Sequence, residues 1–114
     1  MFWNRSKSRI AEVTPAEAHE RVVEGHGILI DVREPGEWRS GRAAGARHIP
    51  LGQLSTRAAE LPKDQPVYVI CASGSRSRLA AEMLHKAGFA CPINVNGGTS
   101  AWQRSNLPME RGDS

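Results

Sequence analysis

Three short apolar runs, at 28–32 (ILIDV), 66–70 (PVYVI) and 92–95 (PINV), constrain this chain more than any other feature. They are too short for buried helices, rich in β-branched residues, and nearly apolar throughout rather than alternating. That is the pattern of strands buried on both faces, as in parallel sheets. Segments with helical character lie between them. At 14–27 (TPAEAHERVVEGHG), Thr14 is a good N-cap, Pro15 suits the first helical position, and Glu17 completes a capping box. Ala18, Val22 and Val23 supply its apolar face, and Gly25 is its stop. A second helix is expected at 51–62, ended by Pro62. The clearest helix is 77–88, with Leu79, Ala80, Met83, Leu84 and Ala87 on one side and Gly88 as terminator. A short helix is expected at 99–105, a loop with one helical turn near 37–40 inside 33–50, and a fraying tail from Leu107 onward. The alternation argues for an α/β sandwich around a mostly parallel central sheet, whose functional crevice lies at the carboxyl ends of the strands.

With 114 residues the chain suits one domain. We expect a basic N-terminal tail at 1–9, the domain at 10–109 and a C-terminal tail at 110–114. A net charge of +3 without a long Lys/Arg block favours small anionic partners over nucleic acid. Two cysteines, Cys71 and Cys91, form no disulfide framework and no zinc motif. The first residues lack a signal-peptide apolar core, and the longest apolar run, 67–72, is far too short to span a bilayer. The expectation is a cytoplasmic monomer, with no membrane contact, in a compartment that keeps Cys71 reduced.

Cys71 closes the second strand and is followed by Ala72, Ser73, Gly74, Ser75, Arg76 and Ser77, where the best helix begins. A strand–loop–helix turn leaves several N–H groups unpaired at the helix start. Small residues let the loop curl around the sulfur, and the converging N–H dipoles make an anion nest. Arg76 adds positive charge, either as a ligand or as a brace for the loop. These surroundings favour thiolate over thiol, and so a nucleophile. The competing reading, a buried structural cysteine, does not explain the small-residue loop.

The CASGSRS segment resembles the active-site loop of the rhodanese family. DVREPGEW followed by GRAAGARHIPL resembles the first family signature, NGGTSAWQRSNLP the C-terminal one, and EVTPAEAHE fits the family's opening, all in family order. The resemblance implies a single-domain rhodanese-like three-layer sandwich. It makes Cys71 the catalytic nucleophile of a sulfurtransferase that takes a sulfane sulfur from thiosulfate or a similar donor as a Cys71 persulfide. Cyanide or a cellular thiol is the acceptor, residues 72–77 bind the charge, and neither a metal nor an organic cofactor is needed. A persulfide relay loaded by a protein partner is the alternative. Related phosphatases and arsenate reductases place one more residue between cysteine and arginine, which disfavours that chemistry here. The chain departs from the family pattern in three ways. Ala72 and Ser73 stand where some thiosulfate-selective members carry cations, Gly41-Arg42-Ala43 replaces the common Gly-His-Ile of the first signature, and Asn106 replaces a glycine.

Around this loop we assign supporting roles. Asp31 and Arg33 end the first strand, either as an electrostatic frame for the cleft with Glu37 as partner to Arg33, or, the favoured reading, as an ion pair pinning loop to sheet. Trp38 lines the cleft or anchors the core, and Trp102 is a core anchor. Gly97 and Gly98 allow a tight turn beside the loop. His48 is expected to bond backbone rather than act as a base for Cys71, and His19, His26 and His85 receive no role. Cys91 starts its strand while Cys71 ends its own, so they lie at opposite sheet edges and Cys91 is a spectator.

Overall fold

The computed structural model describes residues 10–112, so the tail expected at 1–9 lies outside the described residues. The three apolar runs become β2 (Ile28–Asp31), β5 (Val67–Ile70) and β6 (Pro92–Val95). β1 (Ala11–Val13) and β4 (Arg47–His48) complete a five-stranded, all-parallel sheet of order β1-β6-β5-β2-β4. The connecting helices are α1 (Pro15–Val23), α2 (Pro35–Ser40), α3 (Leu54–Arg57), α4 (Ser75–Lys86) and α5 (Gly98–Arg104). A second, two-stranded antiparallel sheet pairs β3 (Arg42–Ala43) with β7 (Met109–Glu110). The tail expected to fray from Leu107 is therefore held through residue 110.

Strand parity divides the core. Ile30, Val32, Val67 and Val69 pack with Leu54, Ala80, Ala81 and Leu84 on the α3–α4 side. Leu29, Tyr68, Ile70, Ile93 and Val95 pack with Ala18 and Trp102 on the α1–α5 side. Burial on both faces is why these strands read as continuous apolar runs. α1 starts as its sequence dictates: the Thr14 hydroxyl accepts from Glu17 N–H at 3.1 Å, and Glu17 returns the bond to Thr14 N–H at 3.2 Å.

Several expectations need correction. The helix expected at 51–62 is one α turn, α3, flanked by 3₁₀ turns at Leu51–Gln53 and Ala58–Glu60. Of the apolar faces assigned to helices, Val23 (71% exposed) and Leu79 (51%) point to solvent, while Ala81 takes the buried position on α4. The helical turn near 37–40 starts earlier, at Pro35, with Glu37 Oε1 accepting from Glu34 N–H at 3.0 Å.

Candidate active site

Cys71 continues the parity of Val67 and Val69, so its side chain is delivered to the start of α4. The residue is fully buried. Gly74 reverses the chain with φ +114°, a conformation that disfavours any other residue, and serves as N-cap of α4. This reversal aims Gly74 N–H at Cys71 Sγ (3.0 Å) and sets the Ser77 hydroxyl 3.3 Å from the same sulfur. Burial pushes the Cys71 thiol up, but hydrogen bonds from the Ser77 hydroxyl and from Ser77, Gly74 and Ser73 N–H outweigh it, and the net direction is down.

The base of the loop rests on α5. Thr99 donates to Cys71 O through N–H (2.8 Å) and Oγ1 (3.1 Å), and Ser100 N–H donates to Ala72 O at 3.1 Å. A Cβ on Gly98 would lie 2.4 Å from Cys71 O and 2.6 Å from Ala72 O, so only glycine permits this approach. The glycine pair singled out in the sequence thus fits the loop to the last helix.

Arg76 braces the loop against α2. Its Nη1 and Nη2 bond Glu37 Oε1 and Oε2 at 2.8 and 2.9 Å. These bonds, helped by Glu34 N–H and the charges of Arg76 and Arg33, hold the Glu37 carboxyl down at about 2 against a smaller upward push from burial. Glu37 is therefore the partner of Arg76, not of Arg33 as the frame reading had it, and this bidentate pair ties the cysteine loop to α2.

Arg33 instead grips Asp31 through Nε (3.0 and 3.1 Å) and Nη2 (2.9 Å), and Nη2 also donates to Gly41 O at 2.7 Å. Both residues are buried, which is the pinning ion pair. Arg33 Nη1 has no hydrogen-bond partner among the described residues. Arg33 lines a cavity of about 200 Å³ with Ala72, Ser100, Gln103 and Arg111, and among the described residues no carboxylate lines it.

The remaining candidates sit outside this cradle. Trp38 stacks on His48 (centroids 4.6 Å apart) and carries Arg42 at 4.3 Å from its ring. With Pro35, Arg39 and Arg57 it lines a broad depression that contains no residue of the cysteine loop. His48 Nε2 bonds Arg33 O at 2.8 Å, a backbone contact as expected. Arg42 is buried, donating to Trp38 O and Gly112 O, and so pins α2 to the C-terminal segment. Trp102 is fully buried, with Nε1 donating to Pro108 O at 2.8 Å. Cys91 O accepts from Val67 N–H, which puts Cys91 beside the first residue of β5 and at the far edge from Cys71. Asn106 takes φ +58° where the signature has glycine.

Sequence reasoning missed Thr99, Asn94 and Glu12. Asn94 is buried, and its Oδ1 lies 2.5 Å from the Ser77 hydroxyl. Its Nδ2 donates to Glu12 Oε2 (3.2 Å) and Gly74 O (3.3 Å), while Glu12 pairs with Arg78. One signal was available: an asparagine inside a strand buried on both faces needs polar partners.

Comparison with known proteins bears on the family and the fold. A family model described as Rhodanese-like domain matches residues 14–105. The chain is 37% identical over 82 residues to a sulfurtransferase of Allochromatium vinosum, covering 72% of this chain and 77% of that protein. It is 47% identical over 74 residues to the uncharacterised protein YqhL of Bacillus subtilis; the match covers 65% of this chain and spans 59% of that relative's length. Among solved structures, the polysulfide-sulfur transferase homodimer of Wolinella succinogenes superposes with a TM-score of 0.81 at 29% identity, covering 95% of this chain and 83% of that one.

Proposed function

Because the chain belongs to the rhodanese-like domain family, we propose that it moves a sulfane sulfur from thiosulfate or a similar donor to cyanide or a cellular thiol through a persulfide on Cys71. The observation that carries this reading is the set of donors around one sulfur: Gly74 N–H at 3.0 Å, the Ser77 hydroxyl at 3.3 Å, and a thiol pulled down despite complete burial. Such donors stabilise negative charge on thiolate and persulfide alike.

The steps balance in charge and electrons. The Cys71 thiolate attacks the outer sulfur of thiosulfate; the new S–S bond forms as the old one breaks, and sulfite leaves with its electron pair. Cyanide then attacks the terminal persulfide sulfur, leaves as thiocyanate and restores the thiolate. The donor's oxyanion needs a positive partner. Arg76 is committed to Glu37, and residues 72 and 73 are uncharged. Arg33 Nη1 and Arg111, across the cavity that borders Ala72, are the cations this reading assigns to it. Since Cys71 is sealed within its closed loop, donor entry requires the loop to open.

That burial also supports a second reading, a persulfide relay in which a docking protein opens the loop and loads Cys71. Loading by thiosulfate, followed by intact mass, separates the two. Direct formation of the persulfide supports the small-donor reading. Loading only by a cysteine desulfurase with cysteine supports the relay.

A further inference from the structure

The Ser77 hydroxyl has one proton and two acceptors. Asn94 Oδ1 lies 2.5 Å from Ser77 Oγ, and Cys71 Sγ lies 3.3 Å from it on the other side. A hydroxyl donates once and accepts with its remaining lone pairs. While Cys71 is a thiol, the distances fit a chain in which the thiol donates to Ser77 and Ser77 donates to Asn94. Once Cys71 is a thiolate, Ser77 must turn its proton to the sulfur. The lone pairs of Ser77 Oγ and Asn94 Oδ1 then face each other at the short separation.

Asn94 has no easy way to relieve that conflict by flipping its amide. Its Nδ2 is held by two acceptors, Gly74 O and Glu12 Oε2, and a flip would turn Oδ1 against both. Glu12 is held in turn by Arg78. Ser77 and Asn94 are both buried, so water does not replace the lost partner.

We propose that Asn94 is a positioning residue that draws the Ser77 hydroxyl away from the Cys71 sulfur and so restrains formation of the thiolate. The inference deepens the reading of Cys71 as the nucleophile, but it concerns ionisation and not sulfur transfer. Among the described residues, the charged groups about this network are Arg76 from α4, paired with Glu37 from α2, the Glu12–Arg78 pair behind Asn94, and, on the cavity beside Ala72, Arg111 and the Arg33 that pairs with Asp31. A buried polar residue with only a structural role would loosen the cradle when removed and weaken the thiolate. The present assignment gives the opposite sign.

The test is the ultraviolet thiolate absorbance of the full chain against pH, with Cys71→Ser as the blank, in the parent, Asn94→Leu, Ser77→Ala and the double variant. In Asn94→Leu the hydroxyl is free to serve the sulfur, so the midpoint moves to lower pH and the thiolate-to-thiol ratio at a fixed pH rises by about fivefold, the scale of one hydrogen bond. Ser77→Ala moves the midpoint up, and the double variant behaves as Ser77→Ala because the proposed restraint acts through that hydroxyl. An upward or unchanged midpoint in folded Asn94→Leu, or a double variant distinct from Ser77→Ala, would overturn the assignment. Should Asn94→Leu fail to fold, the parent decides by NMR. Asn94 side-chain amide signals that titrate with Cys71 and are static in Cys71→Ser support the assignment; signals static in both refute it. Failure of thiosulfate to load Cys71 would leave these outcomes unaffected.

Discussion

The two cysteines of this chain sit on neighbouring strands of one sheet, yet the fold treats them differently. Cys91 stands at the amino end of β6, half-buried, beside the first residue of β5. Cys71 stands at the carboxyl end of β5, fully buried, with donors from a reversed loop and a helix start directed at its sulfur. About four residues of strand, roughly 13 Å at the usual rise, lie between the two edges. The comparison shows that the donors around a sulfur belong to the edge and its loop rather than to the thiol. Parallel strands send every following helix back from the same edge, so helix N-termini and their unpaired N–H groups collect where Cys71 is and not where Cys91 is.

The strongest way to break this contrast is to remove the frame under the carboxyl edge. Asp31→Ala leaves the buried Arg33 without its carboxylate, and chemical denaturation should show a loss of about 3–5 kcal/mol. A loss below about 1 kcal/mol would mean that the pair does not pin the edge. Next in size is Gly98→Ala. Its Cβ would press on Cys71 O and Ala72 O from a backbone at φ +61°, costing about 2–4 kcal/mol by denaturant titration when strain and overpacking combine. Amide shifts should move in residues 71–77 and stay in place around Cys91. Equal movement at both sites would contradict a local role for Gly98.

A gentler variant sharpens the comparison. Arg111→Glu reverses a charge on the cavity beside Ala72 and should raise the thiosulfate KM by about tenfold, the scale of a hydrogen bond to a charged group, with a smaller change in kcat. An unchanged KM would remove that cavity from the donor's path. The smallest effect belongs to Glu37→Gln, because the Glu37–Arg76 pair is partly solvated: about 0–1 kcal/mol near neutral pH. The sign of its pH dependence is fixed by a carboxyl lowered from 4.5 to about 2. The stabilisation is present above the unfolded value and lost as pH falls through the folded one, so parent and variant should converge by about pH 2. A difference that persists there would contradict the ion-pair account.

How much of this was legible depended on whether the causes were local. β5, β6 and α4 declare themselves through apolar runs, β-branched residues and a terminal glycine. The nest around Cys71 follows from Gly74 and its small neighbours. β1, β3, β4 and β7 carry no such signal, because two or three residues of mixed character become strands only when a partner strand arrives. The tie between Arg76 and Glu37 spans 39 positions, and local patterns cannot rank Arg76 above Arg33 as the partner. Leu79 fits a helical apolar stripe by spacing, but the stripe that packs is rotated toward Ala81.

The account is tested most directly by intact-protein mass spectrometry after brief incubation with thiosulfate, beside Cys71→Ser and Cys91→Ser. It predicts one added sulfur, about 32 Da for a persulfide, in the parent and in Cys91→Ser, removed by cyanide and absent from Cys71→Ser. An added sulfur that persists in Cys71→Ser or disappears in Cys91→Ser would contradict it.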